Sequence, residues 1–181
     1  MRPFAALPVL AALALAACGD KPAEDAPKTL EQVAKEAEQM VKPQPGQYES
    51  SMKMIDLSIP GLPADQAAQM KQMMGSAGSQ VNSFCLTEEE ANMGFEEMIR
   101  KSQDGECSFD RFDATAGTID AKMTCTPKEG GGSATITMKG TMTATSSTMD
   151  MEMDQTNPEM PGGKMQMKMQ VSSKRVGECL A

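Results

Sequence analysis

The sequence predicts an α+β fold: a single twisted, strongly curved antiparallel sheet of five to seven strands with two short helices over one face or end. Three observations predict it. From Cys107 onward, apolar and polar residues alternate with period two, the pattern of strands that are buried on one face and wet on the other. Two earlier stretches, after Pro63 and after Thr87, carry apolar residues at helical spacing behind helix-start residues. Cysteines at 85, 107, 125 and 179 span the region in an even number, which suits a stapled exported domain. A closed barrel is the other architecture compatible with this many short strands.

The first residues read as an address. Arg2 supplies a positive charge, and Phe4 to Ala17 is an apolar run of small residues and leucines. That run falls short of the ~20 residues a membrane-spanning helix needs, so residues 1–17 read as a signal peptide. It ends Leu15-Ala16-Ala17-Cys18, which resembles the lipobox of bacterial lipoproteins. The resemblance implies cleavage before Cys18 and acyl chains on its thiol and new amine; the plain alternative is cleavage after Ala17 with Cys18 left as a free thiol. Each buried methylene contributes ~0.8 kcal/mol, so several acyl chains hold a protein at a membrane. Among lipoproteins an aspartate straight after the cysteine favours the inner membrane. Here Gly19 stands there, so the expected location is the periplasmic face of the outer membrane.

Residues 18–45 read as the anchor cysteine and a tether. "GDKPAEDAP" is polar and proline-bearing. Thr29 and Gln32 form a capping box, and Leu30, Val33, Ala34, Ala37 and Val41 follow at helical spacing. The weak apolar face suggests a helical spacer, the alternative being a docking helix for a partner. Residues 46–181 read as one globular domain, long enough to bury a core.

Within it, Tyr48 to Leu57 is an expected strand and "IPGLP" a turn. Pro63 suits the first turn of a helix, with Ala64, Ala67, Ala68 and Met74 on one face and Gly75 as its stop. Val81 to Leu86 is a short strand. Thr87 and Glu90 make a second capping box, Leu86 and Ala91 a hydrophobic staple. Glu88, Glu89 and Glu90 lie where the helix dipole favours negative charge, which explains that acidic triplet without a metal. Phe95, Met98 and Ile99 continue the apolar face.

Cys107–Ala114 and Thr118–Cys125 flank "TAG", a three-residue hairpin loop with Gly117 at its left-handed position. A symmetric register sets Cys107 against Cys125, Phe109 against Met123 and Asp110 against Lys122. Opposed cysteines on neighbouring strands are close enough to bridge. The expected disulfides are therefore Cys107–Cys125 and, by what remains, Cys85–Cys179. Ser133–Met142 is another alternating strand.

Residues 146–173 place methionine at every second position on both sides of a Pro/Gly-rich middle. Folded about Glu159, Met153 faces Met165, Met151 faces Met167 and Met149 faces Met169. On the other face Asp150 meets Lys168, Asp154 meets Lys164 and Glu152 meets Gln166. With 19 Met and 3% aromatic residues, methionine reads as the general core filler, and its adaptability suits a loosely specific apolar pocket. The alternative is a Cu(I) site on Met149, Met151, Met153, Met165, Met167 and Met169, because soft thioethers select Cu(I). A further alternative is an oxidant trap. No other metal and no cofactor is expected.

Some function classes are excluded by what is absent. The chain has no His, which removes Cys-His nucleophiles, Ser-His triads and zinc fingers. Only Arg2 of its 17 basic residues precedes Cys18, so the mature chain carries a net charge of −9, which disfavours nucleic acid and anionic membrane surfaces as partners. Asp104, Glu106, Asp110 and Asp113 match neither a calcium loop nor an acid/base pair. No enzymatic activity is expected.

"GQYE" at 46–49, "IPGLP" at 59–63, "FCLTEEEA" at 84–91, "GTIDAKMTC" at 117–125, "MKGTMTATSSTMDMEM" at 138–153 and "KRVGEC" at 174–179 resemble the domain-of-unknown-function family 3617 of exported proteobacterial proteins. The resemblance covers nearly all of 46–181. It implies a single exported domain with paired cysteines and no established activity, and it transfers no catalytic residue. The expected function is that of a non-enzymatic periplasmic lipoprotein domain binding an apolar small molecule or an envelope protein.

Overall fold

In the computed structural model, which describes residues 27–78, 81–94, 106–126 and 131–179, seven strands form one antiparallel sheet. They are β1 (Gly46–Ser58), β2 (Val81–Leu86), β3 (Cys107–Ala114), β4 (Thr118–Cys125), β5 (Ser133–Met142), β6 (Ser146–Thr156) and β7 (Lys164–Gly177). Their order is β2-β1-β7-β6-β5-β4-β3. The sheet is open, with β2 and β3 at its edges, so the architecture is α+β and the barrel alternative does not hold. Among the described residues three α-helices accompany it: α1 (Leu30–Ala37), α2 (Ala64–Gly78) and α3 (Glu88–Met93).

Capping chemistry starts two of the helices as the sequence predicts. The Thr29 amide donates to Gln32 Oε1 at 2.8 Å, and the Gln32 amide to Thr29 Oγ1 at 3.3 Å. At α3 the Thr87 amide donates to Glu90 Oε2 at 2.9 Å, and the Glu90 amide to Thr87 Oγ1 at 3.2 Å. Helix α2 departs from expectation, running through Gly75 to Gly78. Gly75 keeps helical backbone, and nothing lies within 4 Å of where its Cβ would be, so neither strain nor crowding stops the helix there. The expected extension over Phe95, Met98 and Ile99 lies outside the described residues.

The two short hairpin turns share one device. In the β3–β4 turn, Thr115 Oγ1 accepts from the amides of Gly117 and Thr118 at 3.3 and 3.1 Å. In the β5–β6 turn, Thr143 Oγ1 accepts from Thr145 and Ser146 at 3.2 and 3.0 Å. The hydroxyl therefore closes the turn locally. Gly117 does not take the left-handed conformation expected of it.

Hairpin β3–β4 begins in the expected register, with Cys107 opposite Cys125 and Phe109 opposite Met123. It then shifts between Phe109 and Arg111, so Asp110 does not pair directly with Lys122, although the two side chains remain 3.5 Å apart. The β-bulge has a physical reason. Simple alternation would turn Phe109 and Phe112 to opposite faces; one extra residue brings both to the same face. Both are fully buried, in edge-to-face contact with centroids 5.8 Å apart.

Those two rings centre the core, with Val33, Ala114, Ile119, Ala121 and Met138. Val33 belongs to α1 and is fully buried. The helical-spacer expectation for α1 is thus corrected: the helix is docked, with Leu30, Ala34 and Ala37 packed against the same cluster. Backbone hydrogen bonds then tie residues 28–44 to successive parts of the sheet. The Lys28 amide donates to the Phe109 carbonyl at 2.8 Å, Val41 to Ala116 at 3.1 Å and Gln44 to Ala144 at 2.7 Å. Tyr48, buried on β1, donates its hydroxyl to the Gln44 carbonyl at 2.8 Å. The segment is a strap that runs from edge strand β3, past two turns, into β1.

Candidate functional site

The methionine-rich hairpin β6–β7 forms, in a register two residues from the expected one. Met151 opposes Met169, Met153 opposes Met167, Met149 opposes Val171 and Met165 opposes Gln155. The difference lies in the turn. Asn157 and Gly163 close it with a 3.0 Å backbone hydrogen bond, and Gly162 and Gly163 both take positive φ. The turn is therefore centred on Met160 rather than Glu159. A shift of two residues keeps every side chain on its predicted face, whereas a shift of one would invert them all.

The faces separate as alternation requires. Met149, Met151, Met153, Met165 and Met169 are half-buried and Met167 is buried, while Thr148, Asp150, Glu152, Asp154, Gln166 and Lys168 are exposed. On the wet face Lys168 pairs with Glu152 at 2.8 Å, Gln166 donates to Asp154 at 2.6 Å and Gln170 to Asp150 at 2.8 Å. The expected Asp150–Lys168 and Asp154–Lys164 pairs are replaced by these partners, as the register demands. The Glu152 hydrogen bond and charge, in that order, hold the Lys168 ammonium pKa above its ordinary value.

Pairing across the sheet extends the apolar face beyond the hairpin. Met138 of β5 opposes Met151, and Met54 of β1 opposes Met169. Met54, Met169, Met151 and Met138 thus form one row across four adjacent strands. The neighbouring rows are mixed. Met153 and Met167 lie between Ile136 and Leu57, and Met149 lies between Gly140 and Val171. Of the six methionines singled out in the sequence, only Met151 and Met169 fall in the four-sulfur row. Met54 and Met138 were missed, because only strand order reveals them.

A cavity of about 310 Å³ is lined by Ala34, Ala37, Met40, Val41 and Pro43 of the strap, Met142 at the end of β5, and Ala91 and Met93 of α3. Glu38, Lys42 and Asn92 stand at it as polar groups. Its walls imply strong curvature. Six strand spacings would set the edges of a flat sheet ~29 Å apart. Yet α3 follows edge strand β2 and α1 packs beside edge strand β3, and both line the same space. The volume is at the small end of the ligand-site range of ~300–1,000 Å³, and the lining is mainly apolar.

A second cleft, about 360 Å³, lies beside Glu36, Asp113 and Asp120. Its carboxylates are already engaged. Lys28 reaches Glu36 at 2.8 Å and Asp113 at 3.0 Å; Asp120 is held by Arg111, and by Lys139 at 3.2 Å. Partial burial pushes the Asp120 pKa up, but hydrogen bonds and charge from Arg111 and Lys139 outweigh it and leave it below the ordinary value. Among the described residues, no group of three or more His, Cys, Asp or Glu side chains is placed to hold a metal ion.

The disulfides join the expected partners, Cys107 to Cys125 and Cys85 to Cys179. Cys18, the expected lipid attachment site, lies outside the described residues, as does Asp104. Among the described residues no helix is long and apolar enough to cross a membrane.

A disulfide-stapled open antiparallel sheet with a methionine-lined face and a helical strap defines the class: a small α+β domain with an apolar trough. A family model described as "Protein of unknown function (DUF3617)" matches residues 43–179. The chain belongs to that family. No curated protein and no solved structure matches it.

Proposed function

We propose that this chain is a non-enzymatic, exported lipoprotein domain. Acyl chains on Cys18 hold it at the periplasmic face of the outer membrane, and it binds an apolar small molecule in the cavity between the strap and α3. One observation carries the reading: a mainly apolar cavity of about 310 Å³ whose walls come from the strap, β5 and α3. Met40, Met93 and Met142 in its walls support the reading, since unbranched thioethers repack around ligands of differing shape. An envelope protein is the other occupant such a face suits.

The test is uptake of a fluorescent apolar probe by the purified full chain, with mass spectrometry of lipid that co-purifies. Uptake is expected to saturate at one probe per chain and to fall at least tenfold in Ala37→Phe, which fills the cavity. Absence of uptake, or uptake indifferent to that change, overturns the reading. Cys18→Ser is expected to abolish fatty-acid incorporation. The alternative function, Cu(I) handling, is favoured by a separate observation, the four-methionine row.

A further inference from the structure

We infer that Met54, Met151 and Met169 form a thioether site for a soft monovalent cation, Cu(I) in function and Ag(I) as its redox-inert analogue. The inference deepens the Cu(I) alternative, and it is independent of ligand uptake in the cavity.

Register is the first ground. Met169 stands on β7 between Met54 of β1 and Met151 of β6, directly opposed to both. Directly opposed residues have Cβ atoms ~4.5–5.5 Å apart, and each thioether sulfur extends two bonds further. Three sulfurs on consecutive strands can therefore converge above the central residue. No other set of three methionines in the described sheet is opposed in this way across consecutive strands, save the set that substitutes Met138 for Met54.

Burial chooses between those two sets. Met138 is 5% exposed and belongs to the core under α1, so its sulfur is committed to packing. Met54, Met151 and Met169 are half-buried, which leaves an approach for an ion.

Chemistry selects the ion. Neutral thioethers carry no charge to attract hard divalent cations, and soft sulfur prefers Cu(I). The chain has no His, and Cys85, Cys107, Cys125 and Cys179 are consumed in disulfides. The carboxylates nearest in sequence, Asp150 and Glu152, occupy the opposite, exposed face. The site is therefore expected to discriminate strongly against Zn(II), Ni(II) and Cu(II).

The test is titration of the disulfide-intact full chain, labelled at methionine methyl carbons, with Ag(I) and, anaerobically with ascorbate, Cu(I). The expected result is one ion per chain, with the methyl signals of Met54, Met151 and Met169 moving together. Met169→Leu is expected to weaken binding at least 30-fold, while Met70→Leu with Met73→Leu on exposed α2 changes it less than twofold. Leucine keeps the apolar volume, and an unchanged thermal transition in the variant confirms its fold. Absence of Ag(I) and Cu(I) binding overturns the Cu(I) alternative as a whole. Tight binding that survives Met169→Leu, or shifts spread across Met70 and Met73, overturns only the assignment to this row.

Discussion

Lys28 is a single side chain that ties the strap to the sheet. Its ammonium donates to Glu36 at 2.8 Å, to Asp113 at 3.0 Å and to the Phe112 carbonyl. Partial burial by itself lowers the pKa, but the hydrogen bonds to Glu36 and Asp113 outweigh it and raise the value above the ordinary 10.5. A raised folded-state pKa means that this stabilisation is complete below the unfolded value and disappears as pH climbs through the folded one. Lys28→Met is therefore expected to cost about 1–2 kcal/mol at neutral pH. It should also remove part of the loss of stability expected as pH climbs above 10.5. The Asp113 carboxylate is 61% exposed and contributes the lesser share through solvent screening. Urea denaturation of both proteins at pH 7 and pH 11 measures the difference; parallel pH curves would sink the assignment.

At the scale of elements, the strap is worth more than the family boundary suggests. The matched region begins at residue 43, after α1, yet Val33 of α1 is fully buried against Phe109 and Phe112. Burying one valine contributes ~1.5–3 kcal/mol, and Leu30, Ala34 and Ala37 add to it. A chain cut to residues 43–179 is therefore expected to lose at least ~3 kcal/mol in urea denaturation and to gain binding of a hydrophobic dye; equal stability would contradict the docking. Period two and turn chemistry made strands β2 to β5 legible, and the Thr29 and Thr87 boxes marked helix starts. What stayed hidden was relational. The short apolar stripe of α1 does not announce the core it meets, and alternation cannot foresee a bulge that brings Phe112 beside Phe109. The methionine hairpin was legible in face but not in register, because charge pairing is satisfied almost equally two residues away: Lys168 finds Glu152 in place of Asp150.

At the scale of the whole molecule, the two disulfides do different work. Cys107–Cys125 joins opposed residues of one hairpin, 18 apart in sequence, where the ladder and the buried phenylalanines already hold the register. Cys85–Cys179 joins residues 94 apart. It fastens edge strand β2, whose one sheet neighbour is β1, to the chain just past β7, across the strand between them. On the chain-entropy account the short loop contributes ~3 kcal/mol and the long one ~4–5 kcal/mol. The structure widens that gap, because most of β2 is exposed and its pairing is to β1 on one side, helped by the Tyr48–Phe84 ring contact. Cys85→Ser with Cys179→Ser is therefore expected to lower the midpoint of thermal unfolding more than Cys107→Ser with Cys125→Ser. It should also speed amide hydrogen exchange in β2 and α3 while β4 to β6 keep their protection. Since α3 walls the apolar cavity, probe uptake should fall in that double variant and persist in the other. A larger loss from opening the hairpin bridge would mean that the sheet is held from its β3 edge, and the clamp over β1 would lose its role.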